Sequence, residues 1–120
     1  MPLRNDSDYG HNMWYHFDFG PIRFVAIDSE TNYHESPYPP VFKGDHVNYV
    51  KQAIRSADRT ATPLLVALAH RPIYGSGKEY CDPEGRPTGP ARKMKELFEE
   101  DFLKYKVDLM VTGHVHAYGK

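Results

Sequence analysis

Six consecutive apolar residues, Leu64 to Ala69, follow Pro63 and end against His70. A run with no polar interruption has no solvent-facing side, and at this length it reads as a strand covered on both faces, as in the interior of a parallel sheet. It is the best candidate for the central strand of the core.

The remaining elements organise themselves around it. Trp14 to Phe19 and Ile22 to Ile27 are rich in aromatic and β-branched residues and are separated by Gly20-Pro21, which is turn chemistry. They predict a β-hairpin. Both faces of its second strand are apolar beyond Arg23, which puts that strand inside the sheet. Val47, Val50, Ile54 and Ala57 recur at helical spacing behind Asp45, which stands where an N-cap belongs; the helix should end near Ala57 or Asp58. Thr88-Gly89-Pro90 is a second helix start, and Met94, Leu97, Phe98, Phe102 and Tyr105 form one apolar stripe behind it. Val107, Leu109 and Val111 alternate with Asp108 and Met110, predicting a last short strand. Residues 31 to 43, with Tyr38-Pro39-Pro40, read as an irregular connection. Residues 71 to 90, with four Gly and four Pro, read as a long excursion. The order is β-β-α-β-α-β, which predicts an α/β sheet flanked by helices.

Bulk properties narrow the function. At 120 residues and 40% apolar composition, residues 1–120 make one domain at most. A formal charge of -1 offers nothing to a polyanion, so nucleic acid is not an expected partner. No stretch reaches the roughly 20 apolar residues of a membrane span, and residues 1–20 lack the basic and apolar regions of a signal peptide. Cys81 is the sole cysteine, which excludes an internal disulfide framework and a CxxC metal pair.

His70 closes the strand at 64–69, and Gly113-His114-Val115-His116 follows the strand at 107–111. Open α/β sheets bind ligands in the crevice outside the carboxyl ends of their strands, where imidazoles from distant parts of the chain can converge. In an extended segment, residues two apart project to the same side, so His114 and His116 can address one metal ion or two. Neutral imidazole suits Zn, Fe and other transition metals, and two ions about 3.5–4 Å apart suit in-line displacement at phosphorus. Gly113 allows a tight backbone turn beside them. Spacing alone equally describes a pair of surface or packed histidines.

Several collinear blocks carry a resemblance. Leu68-Ala69-His70-Arg71-Pro72-Ile73-Tyr74, then Lys104-Tyr105-Lys106-Val107-Asp108-Leu109 leading into Gly113-His114-Val115-His116-Ala117-Tyr118, resemble the last two metal-binding blocks of purple acid phosphatases of the metallophosphoesterase superfamily. Asn12 to Tyr15, Phe17 to Pro21 and Ile27 to Thr31 resemble the segment just upstream. The resemblance implies a partial β-sandwich flanked by helices, with residues 1–120 as the C-terminal portion of the catalytic domain. It implies hydrolysis of phosphate monoesters at a site of Fe(III) plus a divalent ion, Zn, Mn or Fe(II). His70 and His114 then bind the divalent ion, His116 binds Fe(III), and the same three residues border the phosphate. A secreted or vacuolar/lysosomal address is implied for the parent enzyme.

The departures matter as much. The family site uses five motifs, and the first three, DxG, GDxxY and GNH(D/E), are expected upstream of Met1. With them go the bridging aspartate, the tyrosinate, an asparagine ligand and a histidine beside the substrate. Gly44-Asp45-His46-Val47-Asn48-Tyr49 imitates GDxxY with one residue too many, and Gly10-His11-Asn12 scrambles GNH. Ala67 stands where VxxH has valine, a change of packing more than of ligation. Glu79 and Tyr80 occupy the places of two substrate-side histidines of plant members, so that role is not carried over, and no proton donor is assigned. Asp28 and Glu30 are expected in structural hydrogen bonds, and His11, His16, His34 and His46 exposed or satisfied by neighbours. Arg71 either touches a phosphate oxygen or pins the 71–90 loop. The chain by itself is expected to be weakly active or inactive. The alternatives are a related phosphodiesterase or nucleotide phosphatase, or a non-catalytic fragment that binds metal or docks to a partner; oligomeric state is left open.

Overall fold

The structure is a computed structural model that describes residues 13–30, 44–75, 77–78 and 80–116. Expectations that fall on the connection at 31–43, on His11, His34 and Glu79, on the side chain of Asp45 and on residues 117–120 lie outside the described residues.

The elements appear in the expected order: β1 (Tyr15–Phe19), β2 (Ile22–Ile27), α1 (Gly44–Arg55), β3 (Leu64–Ala69), α2 (Gly89–Lys104) and β4 (Leu109–Thr112). They form a four-stranded sheet in the order β1-β2-β3-β4. β1 and β2 are the hairpin, antiparallel with Phe17 opposite Phe24, and the turn places Gly20 at φ +54°, a conformation glycine adopts without steric cost. β3 lies parallel between β2 and β4, with Ala67 level with Val25 and Met110. Both βαβ connections carry a helix, as parallel neighbours require.

Two boundaries differ from the pattern in the sequence. α1 begins at Gly44, so Asp45 is already helical, and it ends at Arg55 rather than at Ala57 or Asp58. Ser56 and Ala57 continue as a turn that closes on Gln52 and Ile54 carbonyls, which is why Ala57 still packs against the core. Val107 precedes β4 rather than opening it: Lys106 adopts φ +55° on leaving α2, and the chain becomes extended only from Leu109.

Strand alternation sorts the sheet into two faces. Val25, Ile27, Leu65 and Ala67 face the helices and meet Val50, Ala53 and Ile54 of α1 and Met94 and Phe98 of α2. Burying Ile54, Leu65, Met94 and Phe98, each at most 2% exposed, stabilises the fold by about 1.5–3 kcal/mol per side chain. α1 and α2 are also joined by Asp101, buried on the apolar stripe, which accepts from Arg55 at 3.0 Å and lies 3.5 Å from Lys51 Nζ. The hairpin is fastened to α1 by Arg23, which grips Asp18 through two hydrogen bonds and donates to the Ala53 carbonyl. That guanidinium holds the Asp18 carboxyl below its ordinary pKa.

On the opposite face the register aligns Phe17, Phe24, Val66 and Leu109, with Leu68 beside Val111. No described helix packs there, and Leu64, Leu109 and Val111 are exposed. A sandwich covers such a face with a second sheet, and the four described strands supply only the first.

Candidate functional site

The carboxyl ends of β2, β3 and β4 lie side by side, because the three strands are parallel and adjacent. Each releases a short polar segment at the same rim: Asp28, Ser29 and Glu30 after β2, His70 and Arg71 after β3, and Gly113 to His116 after β4. Gly113 N–H donates to the His70 carbonyl at 2.9 Å, carrying the β3–β4 ladder one step past the strand ends.

His114 then sits at the centre of a three-residue turn. Its φ is +67°, and Val115 N–H donates back to the Gly113 carbonyl at 2.8 Å. This is γ-turn hydrogen bonding, and a left-handed φ at a residue with a Cβ stores strain of about 1–3 kcal/mol, of the kind that clusters at functional sites. The turn swings the imidazole back over β3. His70 Nε2 and His114 Nδ1 are 3.0 Å apart, and the rings meet edge to face with centroids separated by 4.9 Å.

His116 is exposed and does not join them. Among the described residues, no group of three or more His, Cys, Asp or Glu side chains is placed to hold a metal ion. His114 and His116 would share a side only in an extended segment, whereas the strand ends at Thr112 and His114 is turned.

Two nitrogens fit an ion nonetheless. Zinc–nitrogen bonds of about 2.0–2.1 Å meeting at about 90–110° put two imidazole nitrogens roughly 2.9–3.4 Å apart. The His70–His114 spacing of 3.0 Å lies in that interval.

The side chains around the pair are firmly held. Arg71 Nε donates to Glu30 Oε1 at 2.9 Å and Oε2 at 3.2 Å, and Arg71 N–H donates to Ser29 Oγ at 3.0 Å. Arg71 Nη1 lies 3.3 Å from His114 Nε2. Arg71 therefore pins the start of the 71–90 excursion and also touches the histidine pair. Asp28 accepts from Glu30 N–H, and its own N–H donates to His46 Nε2, so both are structural, with His46 buried at 1% exposure. His16 is bonded to the Tyr49 hydroxyl at 2.8 Å. Tyr80, buried, sets its ring edge to face against His114 with centroids 6.0 Å apart, and its carbonyl accepts from Thr88 N–H.

The sequence named His70, His114 and Arg71, but it did not foretell that Arg71 reaches His114 or that Tyr80 buttresses it. The available signals were adjacency of Arg71 to His70 at a strand end and the crowding of Gly and Pro around two tyrosines, Tyr74 and Tyr80.

No family model matches the chain. It is 31% identical to acid phosphatase A of Cryphonectria parasitica over 86% of this chain and 21% of that protein. It is also 31% identical to purple acid phosphatase 23 of Arabidopsis thaliana over 95% of this chain and 22% of that protein. Another Arabidopsis relative, also 31% identical, is named probable inactive purple acid phosphatase 27, and a barley (Hordeum vulgare) relative at 32% is named nucleotide pyrophosphatase/phosphodiesterase. Among solved structures, the purple acid phosphatase from yellow lupin (Lupinus luteus) seeds superposes with a TM-score of 0.62 at 30% identity, over 86% of this chain and 16% of that one. The chain thus spans about a fifth of the length of the relatives it matches. Collinear motifs, a shared partial metallophosphoesterase fold and identity along nearly all of its residues place the chain in the purple acid phosphatase family.

Proposed function

We propose that this chain contributes the histidine wall of a metal-dependent acid phosphatase acting on phosphate monoesters. The observation that carries the reading is the 3.0 Å approach of His70 Nε2 to His114 Nδ1 at the carboxyl ends of adjacent parallel strands. His70 and His114 hold the divalent ion, Zn, Mn or Fe(II), and His116, exposed just past the turn, is the donor for Fe(III). When bound, such an ion pair draws charge off the phosphate oxygens and stabilises the leaving oxygen. The chain's own part is to orient the imidazoles: the β3–β4 ladder fixes His70 against Gly113, and the turn at His114 aims its ring. Glu30 holds Arg71 at the rim, where a guanidinium matches phosphate geometry.

Three imidazoles without a bridging carboxylate among the described residues bind at most one ion, and weakly. The expected result for this 120-residue chain is little or no turnover of p-nitrophenyl phosphate with Zn and Fe supplied. Robust hydrolysis would overturn that expectation. Zinc binding that survives both His70→Ala and His114→Ala would overturn the site.

A second reading, hydrolysis of diesters or nucleotides, draws on the barley relative's name. Turnover of bis-p-nitrophenyl phosphate in preference to the monoester, by a longer form carrying this chain, would favour it. The apolar face that no described helix covers leaves a third role, docking to a partner. No described helix is long and apolar enough to cross a membrane. The secreted or vacuolar address belongs to the parent enzyme's reading.

A further inference from the structure

We infer that Arg71 is a positioning residue of the histidine pair: it sets which ring nitrogens carry protons in the metal-free chain, and it competes with a metal ion for His114. The metal half of the inference rests on the reading above; the proton half stands on the geometry alone.

A guanidinium has five N–H donors and no acceptor. Arg71 Nη1, 3.3 Å from His114 Nε2, must therefore donate, and Nε2 must accept. A neutral imidazole accepting at Nε2 carries its proton on Nδ1, since the hydrogen bond of one ring nitrogen fixes the state of the other. His114 Nδ1–H then donates across the 3.0 Å contact to His70 Nε2, and His70 keeps its own proton on Nδ1. A single donor-only side chain orders both rings.

The same order opposes a shared ion. If His114 binds metal through Nδ1, its proton moves to Nε2 and faces an Arg71 N–H, donor against donor. If it binds through Nε2, Arg71 already occupies the ion's position. Either way the guanidinium withdraws before one ion can bridge the two histidines. It is not loosely placed: Glu30 binds Nε through both carboxylate oxygens, and buried Ser29 holds the backbone N–H. Arg71 thus stands in for a cation beside the histidine pair.

The test uses the whole chain. Nitrogen-15 spectra of the metal-free protein should show His114 protonated on Nδ1, and Arg71→Met should shift it toward the Nε2-protonated form. Zn(II) titrated calorimetrically should bind Arg71→Met about tenfold more tightly than the unaltered chain, the scale set by releasing one charge-assisted hydrogen bond. Glu30→Gln, which loosens the anchor and leaves the guanidinium in place, should tighten binding by a smaller factor and covers the case in which Arg71→Met misfolds. Zn(II) affinity that is unchanged or weaker in both variants, while His114→Ala abolishes binding, overturns the competition. A proton on His114 Nε2 in the unaltered chain overturns the ordering. Binding indifferent to His70→Ala and His114→Ala instead removes the metal site itself, a separate result.

Discussion

Asp108→Ala should cut the fastening that holds β4, and with it His114, against the central strand. Asp108 Oδ2 accepts from Leu65 N–H at 2.8 Å and from Arg59 Nη2 at 2.8 Å, and Asp108 N–H donates to the Leu65 carbonyl at 2.9 Å. Leu65 is 1% exposed, so truncation strands a buried N–H, a loss of about 1–3 kcal/mol. The ion pair adds little, because its side chains are 34% and 38% exposed; screening holds it below about 0.5 kcal/mol. A loss of about 2 kcal/mol is expected, read as a urea midpoint lower by roughly 1 M at ordinary m-values for a small protein. Asp108→Asn keeps an acceptor oxygen for Leu65 and should lose about 0.5–1 kcal/mol. The pH dependence has a definite sign. The Leu65 N–H bond, with Arg59 second, holds the Asp108 carboxyl below the ordinary aspartate range. Its stabilisation is complete above the unfolded value and fades as pH falls through the lower folded one. The gap between Asp108→Ala and the unaltered chain should therefore be constant from neutrality to about pH 4 and close below that. Equal midpoints for the Ala and Asn variants, or a gap that persists unchanged into strong acid, would refute the reasoning.

Phe98, 0% exposed between the helices and the sheet, should lose about 3–5 kcal/mol on truncation to Ala, enough to abolish a cooperative thermal transition in a small core; an intact transition with an unchanged midpoint would show that this core does not hold the fold together. Val111 is 47% exposed on the apolar face that no described helix covers, level with Leu68. Val111→Glu should shift the chain toward monomer in size-exclusion runs at rising concentration without loss of helical circular dichroism, and identical elution of the two proteins would mean that this face does not drive association.

The sheet was legible because its signals are local: Leu64 to Ala69 reads as an interior strand and lies between β2 and β4, although Leu64, on the face that no described helix covers, is exposed, and Gly20-Pro21 turns the hairpin. α2 was legible through Thr88 as cap and Pro90 in the first turn. Less so was what depends on two elements meeting. Asp101 interrupts the apolar stripe of α2, and nothing in its own neighbourhood marks it as buried; the compensating charges, Arg55 and Lys51, arrive from α1. The rim shows the same division. Placing His70 and His114 at strand ends needed only the apolar runs before them, and parallel pairing then brings those ends together. Their relative orientation was not readable from spacing, because a His-x-His pair shares a side only while the backbone stays extended. The left-handed φ of His114 breaks that condition, turning its ring toward His70 and leaving His116 exposed. One backbone dihedral therefore decides which two of three histidines meet. It also decides that Arg71, adjacent to His70 and anchored on Glu30, lies against the ring that was turned.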